Sequence, residues 1–207
     1  MTCGEAGCSN ASAFLAGSEG FGAIGVISIG SPMSTQDVLA DLKKGWSSPR
    51  KARWSRSADA PPLRCTFSDP CAPWEDLDLP TTALPSELVA FWRLASSARL
   101  FEDVTYGQWG LEIFTPSEAR QVASAEVQKR SRDYREGDLV VGRFLGDSDL
   151  LIVRADPRSD DFGCVLIALP IDRREDWYRV AENFEQFLAA FARSEGRKYW
   201  EKTAREG

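Results

Sequence analysis

Cysteines and acidic residues are the side chains of this sequence whose spacing could support chemistry. Four of the five cysteines form two pairs, Cys3 with Cys8 and Cys65 with Cys71. Such a set could hold zinc through four thiolates, but intervals of four and five residues are unusual for a zinc site. Free thiols in a reducing cytosol are the favoured interpretation, and Cys164, inside an apolar run, is predicted to be buried.

The acidic residues do not form a catalytic pattern. The chain contains no histidine, which excludes Ser-His-Asp triads, Cys-His dyads and every metal site that needs imidazole. Asp147 and Asp149 could hold a cation in a turn, but the further ligands and the closing Glu of a calcium loop are missing. Paired carboxylates could hydrolyse a glycoside, but nothing in the sequence fixes two of them across a cleft. We therefore predict no catalytic residue, no metal and no cofactor.

The same acidic residues could instead form a binding surface. Residues 73–192 hold 22 acidic and 13 basic side chains, and many of the acids fall in predicted loops. Trp109 and Trp200 are candidate aromatic anchors for a partner. The alternative is that the acids serve solubility and turn formation. The surface that we expect consists of acidic loop residues and one exposed tyrosine: Glu102, Asp103, Tyr106, Asp147, Asp149, Asp156, Asp160 and Asp161.

The strands that would carry these loops follow from the period of the apolar residues. Alternation predicts strands over 111–115, 138–146 and 150–153, and the last two are joined as a hairpin by a short Gly-Asp turn. A continuous apolar run predicts a central strand over 164–169. Neighbouring strands without regular βα alternation predict the α+β class, an antiparallel sheet packed by helices.

Three helices are predicted around this sheet. The first begins at Leu84 and its apolar face extends to Arg99. The second covers 116–128, because Thr115 and Glu118 have the spacing of a capping box. The third begins near Asp172 and presents an apolar stripe that extends as far as Phe191.

The first 72 residues differ in composition from the rest. Residues 1–32 are rich in Gly, Ser and Ala and are predicted to be a flexible, low-complexity segment. Residues 43–64 are basic and include Trp46 and Trp54, a mixture that could bind nucleic acid or an acidic partner. Their Pro and Ser residues favour a solvated linker. We therefore expect a flexible or linker region over 1–72, followed by a single domain over 73–207 with a charged C-terminal extension.

Charge and hydropathy restrict the compartment and the partners. The net charge of −6 argues against a protein that binds nucleic acid directly over its whole surface. The apolar stretch from Gly20 to Pro32 is shorter than the roughly 20 residues of a membrane span. It is preceded by acids rather than by Lys or Arg, which is the wrong sign for a signal peptide. We expect a soluble, cytoplasmic protein that does not bind membranes.

The order of these elements resembles the SUKH superfamily, which includes bacterial immunity proteins and a fungal cell-wall-assembly regulator. The resemblance extends from Trp74 to Phe191, but the "nGg" that usually follows the first helix is absent. Four segments carry it in order: Leu84-Pro85 with Leu88 and Phe91, Leu111-Glu112-Ile113-Phe114 with Ser117-Glu118-Ala119, Val141-Gly142-Arg143-Phe144 with the Gly146–Asp149 turn and Leu150-Leu151-Ile152-Val153, and Asn183-Phe184-Glu185-Gln186-Phe187-Leu188.

The resemblance implies a binding protein rather than an enzyme. Bacterial members typically bind and neutralise a toxin encoded nearby, often a nuclease. It therefore implies a cognate toxin as the partner, occluded by the acidic loops. On this interpretation Asp147 and Asp149 contact the toxin and are dispensable for folding. The alternative is an interaction or scaffold module of the regulatory type, in which the basic segment with Trp46 and Trp54 matters.

Overall fold

The computed structural model describes residues 33–55, 57, 59–70 and 84–203, the last two without their side chains. The low-complexity segment 1–32 lies outside the described residues, as do Cys71 and Trp74. The described residues all belong to one compact unit.

Within the described residues, seven strands form one sheet, and each strand pairs antiparallel with the next along the chain. Successive strands run in opposite directions, so the second, fourth and sixth strands end on the same side of the sheet, and such a row of strand ends is called an edge below. This architecture confirms the predicted α+β class with an antiparallel sheet. The strands are β1 (Leu63–Phe67), β2 (Ala98–Asp103), β3 (Leu111–Ile113), β4 (Asp138–Phe144), β5 (Leu150–Arg154), β6 (Val165–Ala168) and β7 (Tyr178–Ala181).

Helices cover the middle of this sheet. Leu151, Ile152 and Val153 of β5 are all fully buried. Because successive side chains of a strand point to opposite faces, both faces of the sheet are covered here. The helices are α1 (Thr35–Trp46), α2 (Ser86–Leu94), α3 (Pro116–Lys129), α4 (Phe184–Arg193) and α5 (Trp200–Thr203). Of these, α1, α2 and α4 contact one another, whereas α3 contacts β4.

Helix α3 and the β4–β5 hairpin lie where the sequence predicts them. The Thr115 hydroxyl accepts the Glu118 N–H at 3.2 Å, and the Glu118 carboxylate accepts the Thr115 N–H at 2.9 Å. This reciprocal capping box satisfies two donors that a helix leaves unpaired. The hairpin turns through Gly146, which has a positive φ of 92°.

The last helix starts later than its apolar stripe suggests. Residues 174–176 form a short 3-10 turn, and Tyr178–Ala181 form β7, paired with β6. Helix α4 begins only at Phe184, where the Asn183 side chain accepts the Gln186 N–H at 2.9 Å. The prediction of a helix from Asp172 is therefore wrong for 172–183. Val180 and Ala181 of β7 pack against the core and also fit the spacing of the helical stripe, so a strand of four residues has the same apolar pattern as a turn of helix.

The first predicted helix is also shorter than expected. Helix α2 ends at Leu94, and Ala95 already has extended backbone angles. Residues 98–103 form β2, which pairs with β1 on one side and β3 on the other. The predicted helix extends into this strand because Ala95 and Arg99 continue the spacing of Leu88 and Trp92.

The structure also differs from the expected linker over 43–64. Helix α1 buries Leu42 and Trp46, and Trp46 contacts Phe101 edge-on at 4.8 Å between ring centroids. The Glu195 carboxylate accepts the Arg53 N–H at 2.5 Å, and β1 is the outermost strand on one side of the sheet. The described residues from 33 to 70 thus belong to the folded unit. The basic side chains of this region face the solvent, while every third or fourth residue of α1 packs into the core. A basic composition is therefore compatible with an amphipathic helix as well as with a linker.

Removal of the Leu42 side chain tests the placement of α1. The side chain is only 2% exposed, so Leu42→Ala should lower the free energy of unfolding by about 2–5 kcal/mol in urea titrations. Lys44→Ala, at an exposed position of the same helix, is the control and should change it by less than about 0.5 kcal/mol. Equal stability of the two variants would show that this segment is a linker.

Candidate functional site

The acidic residues predicted to form one surface lie at two opposite edges of the sheet. Asp103 is the last residue of β2 and Tyr106 lies in the β2–β3 loop, whereas Asp147 and Asp149 lie in the β4–β5 turn. These two loops meet, since the Leu145 N–H donates to the Gly110 carbonyl at 2.9 Å. The β5–β6 loop, with the remaining aspartates, begins where β5 ends, at the other edge. The eight residues therefore cannot contact one compact epitope together.

Asp147 and Asp149 hold a buried lysine. The Lys198 ammonium lies 2.6 Å from a carboxylate oxygen of each, and its side chain is 6% exposed. Burial lowers the pKa of Lys198, but hydrogen bonds to Asp147 and Asp149 outweigh it and raise the pKa above its ordinary value. Asp149 is itself buried. The expectation that both aspartates are dispensable for folding does not fit this arrangement.

Asp161 is part of a second internal ion pair. The Arg154 Nε–H donates to both Asp161 carboxylate oxygens at 3.0 Å. Burial raises the pKa of Asp161, but hydrogen bonds from Ser159 and Arg154 more than offset it, so its pKa is lowered. Asp161 therefore positions the β5–β6 loop.

Asp156 and Asp160 share the β5–β6 loop with Asp161 but differ in exposure. Asp156 accepts the backbone N–H and the Nε–H of Arg158, each at 3.0 Å. Asp160 is exposed to solvent. Of the three aspartates in this loop, Asp160 alone is fully on the surface.

The β2–β3 loop offers one exposed aromatic side chain. Asp103 is buried and accepts the backbone N–H groups of Thr105 and Tyr106, which is turn chemistry. Glu102 pairs with Arg99 at 2.6 Å. Tyr106 is 74% exposed, as a side chain available to a partner would be.

The tryptophans singled out in the sequence pack into the protein. Trp109 donates its Nε1–H to the Gly196 carbonyl at 3.1 Å, and Trp200 is buried. Trp46 is buried as well, and Trp54 donates to the Glu195 carbonyl at 3.0 Å. The basic segment thus presents no free aromatic platform for the stacking of nucleic-acid bases.

Cys65 is committed to the core. Its thiol is buried and accepts the Phe101 N–H at 3.2 Å, and burial raises its pKa to about 12. A thiol that resists ionisation is a poor zinc ligand, because the metal binds the thiolate. Cys3, Cys8 and Cys71, the other members of the four-thiolate hypothesis, lie outside the described residues. Cys164 is buried, as predicted.

A groove lies between α3 and the ends of β4 and β6. Its volume is about 530 Å³. Val122 lines it from α3 and Arg130 from the end of that helix, Phe144 and Ser148 from the β4–β5 hairpin, and Leu169 from the segment after β6. It therefore lies at the edge of the sheet where the β2–β3 loop presents Tyr106.

Two exposed apolar side chains directly follow residues that line the groove. Val127 of α3, after the lining residue Glu126, is 38% exposed, and Ile171, after the lining residue Pro170, is 93% exposed. The Arg130 guanidinium fixes the Ile171 loop by donating to the Leu169 and Pro170 carbonyls at 2.9 and 2.7 Å. None of the sequence patterns predicts this surface; the signal that points to it is Ile171, an isoleucine between a predicted strand and a predicted helix.

The described residues contain neither a cluster of metal-binding side chains nor a membrane-spanning helix. Among the described residues, no three Cys, Asp or Glu side chains gather in a way that could hold a metal ion. None of the helices in that part of the chain is both long and apolar enough to cross a membrane.

The sequence pattern of the chain matches a known family. The model of the SMI1 / KNR4 family (SUKH-1) matches residues 79–190, more than half of the chain. No curated protein matches it. The matched range contains α2, α3 and α4 up to Ala190, together with β2 to β7.

Substitution of Lys198 tests whether the β4–β5 turn is structural. Lys198→Met leaves the buried Asp149 carboxylate without its cation and should cost about 3–5 kcal/mol of stability near pH 7. Lys129→Met breaks an exposed pair with Glu126 and should cost at most about 1 kcal/mol.

The pH dependence of the Lys198 variant provides a second measure. Because the pKa of Lys198 is raised in the folded protein, its contribution is complete below about pH 10.5 and disappears as the pH rises through the folded value. Urea titrations from pH 7 to 11 should show the difference between wild type and Lys198→Met shrinking at the alkaline end. Equal losses for the two lysine variants at pH 7 would contradict a structural role.

Proposed function

Because the chain belongs to the SMI1 / KNR4 family (SUKH-1), we propose that it is an immunity-type protein that binds a cognate toxin and neutralises it by occlusion. The proposal needs no catalytic group. A toxin whose active site is covered by a bound inhibitor is inactive, whether or not the inhibitor performs any chemistry. The surface that supports the proposal is the groove beside α3 with its exposed apolar border.

The exposed border is the observation that carries the proposal. Burying Ile171 against a partner would remove a nearly fully exposed aliphatic side chain from water, which contributes about 1.5–3 kcal/mol before association costs. Val127 adds a second apolar contact, and Tyr106 an aromatic one from the adjoining loop. Exposed apolar residues around a concave surface are typical of sites where proteins dock.

The acidic residues play a different part in this proposal from the one that the sequence suggests. Asp149 and Asp161 are held by Lys198 and Arg154, so their negative charge is largely neutralised inside the protein. Asp160 remains a candidate contact at the opposite edge of the sheet. Shape and apolar contact at the groove therefore provide the affinity in this proposal, rather than an acidic mimic of nucleic acid.

The cytosol is the compartment that fits this function. Cys65 and Cys164 are free thiols buried in the fold, as is usual for proteins of a reducing compartment. We propose that the protein meets its toxin there.

Co-purification tests the function. The tagged protein should form a complex with the product of one neighbouring gene and restore growth to cells that express that product. Val127→Asp should weaken the complex at least tenfold, because it places a charge at the apolar border of the groove. Phe162→Asp is the matched control, since Phe162 is equally exposed, at 38%, but lies in the β5–β6 loop.

The outcomes separate the alternatives. Loss of binding and rescue with Val127→Asp alone supports the groove. Loss with Phe162→Asp alone moves the contact to the opposite edge of the sheet. If no neighbouring product binds and none is neutralised, the immunity proposal fails and a scaffold module of the regulatory type takes its place.

A further inference from the structure

Four arginines face one cleft next to the groove. Arg132 and Arg135 belong to the loop between α3 and β4, and Arg173 and Arg174 to the segment before β7. The cleft has a volume of about 530 Å³, and its other charged lining residues are Asp133 and Glu175. It is therefore a positive site in a chain whose net charge is −6.

Buried ion pairs fix the two walls of this cleft. The Asp138 side chain is fully buried, and the Arg174 guanidinium donates to its two oxygens at 2.5 and 3.1 Å. Arg174 also donates to the Asp133 carbonyl at 3.1 Å. The segment before β7 is thereby tied to the loop after α3, so the cleft exists before any ligand arrives.

Two of the four arginines are available to a ligand. Neither the Arg132 nor the Arg135 side chain makes a hydrogen bond or an ion pair with the described residues, and both are exposed. The Arg173 side chain is 80% exposed and lies 3.7 Å from the Glu175 carboxylate. The acid on the other wall, Asp133, already accepts from the Arg130 Nε–H at 3.0 Å.

We propose that this cleft binds carboxylates of an acidic segment of the protein partner. The inference rests on the proposed function, because it extends the contact surface from the apolar groove to the cleft beside it. A guanidinium group donates two parallel hydrogen bonds to a carboxylate, which gives the contact direction as well as charge. Opposite charges on the two surfaces would also speed association.

Position and charge favour an acidic peptide over a phosphate ligand. Ile171 precedes Arg173 by two residues, so a segment with alternating acidic and apolar side chains can occupy cleft and groove together. A phosphate group would contact the arginines alone. Asp133 and Glu175 within the cleft would repel its higher charge more strongly than that of a single carboxylate.

A labelled synthetic peptide tests the cleft without knowledge of the toxin. The probe repeats Glu-Glu-Leu-Leu, and fluorescence anisotropy measures its binding to the full chain at low and at physiological salt. Arg132→Gln/Arg135→Gln should weaken binding at least tenfold and reduce the salt dependence. Arg93→Gln/Arg193→Gln removes the same charge from exposed positions of α2 and α4 and should leave binding unchanged.

Each outcome is decisive for the cleft. Equal loss in both double variants would show attraction to net charge alone and would overturn the proposal. Failure of the peptide to bind wild type would overturn it as well. Binding of inorganic pyrophosphate with equal or higher affinity, lost in Arg132→Gln/Arg135→Gln, would make the cleft a phosphate site instead.

The two proposals can fail separately. If the peptide binds through Arg132 and Arg135 but no neighbouring gene product is captured, the cleft stands and the immunity function falls. If a toxin is captured and its affinity is the same for wild type and Arg132→Gln/Arg135→Gln, the function stands and the cleft proposal is overturned.

Discussion

The buried carboxylate of Asp138 is the interaction on which the arginine cleft of this structure depends. It accepts hydrogen bonds from Arg154 of β5 and from Arg174 of the segment before β7. Burial lowers the pKa of Arg154, but hydrogen bonds to Asp138 and Asp161 more than compensate and raise it. A buried charge without its partner costs about 3–5 kcal/mol, so these groups have to stay together. Their pairing fixes the loops that form the arginine cleft.

Buried pairing also explains how a chain with an excess of acids presents a positive site. Three acids form ion pairs with basic side chains inside the fold: Asp138 with Arg154 and Arg174, Asp149 with Lys198, and Asp161 with Arg154. Arg132 and Arg135 are left on the surface beside an apolar groove. The net charge of the chain is therefore a poor guide to the partners it can bind, because the sign of the charge at a given site depends on which side chains there already form ion pairs.

The family and the geometry support the same kind of function by different routes. Membership of the SMI1 / KNR4 family (SUKH-1) comes from the pattern over residues 79–190 and favours a binding module. For the proposed function, the geometry offers two surfaces: a groove with the exposed Ile171 next to one of its lining residues, and a cleft with free guanidinium groups. The ion pair of Arg174 with Asp138 ties the cleft together before a partner binds, so little order has to be gained there on binding.

The sequence by itself determined the α+β class, the capped helix α3 and the β4–β5 hairpin, because capping, turns and side-chain period act between near neighbours. It failed at β2 and at β7, where a short strand follows an apolar spacing that also fits a helix, and over 43–64, where a basic composition fits a linker as well as folded structure. Only the tertiary structure decided which charges are free: Lys198 reaches Asp149 across 49 residues, and Arg174 reaches Asp138 across 36. Such pairing depends on how distant segments pack, and no local pattern encodes it.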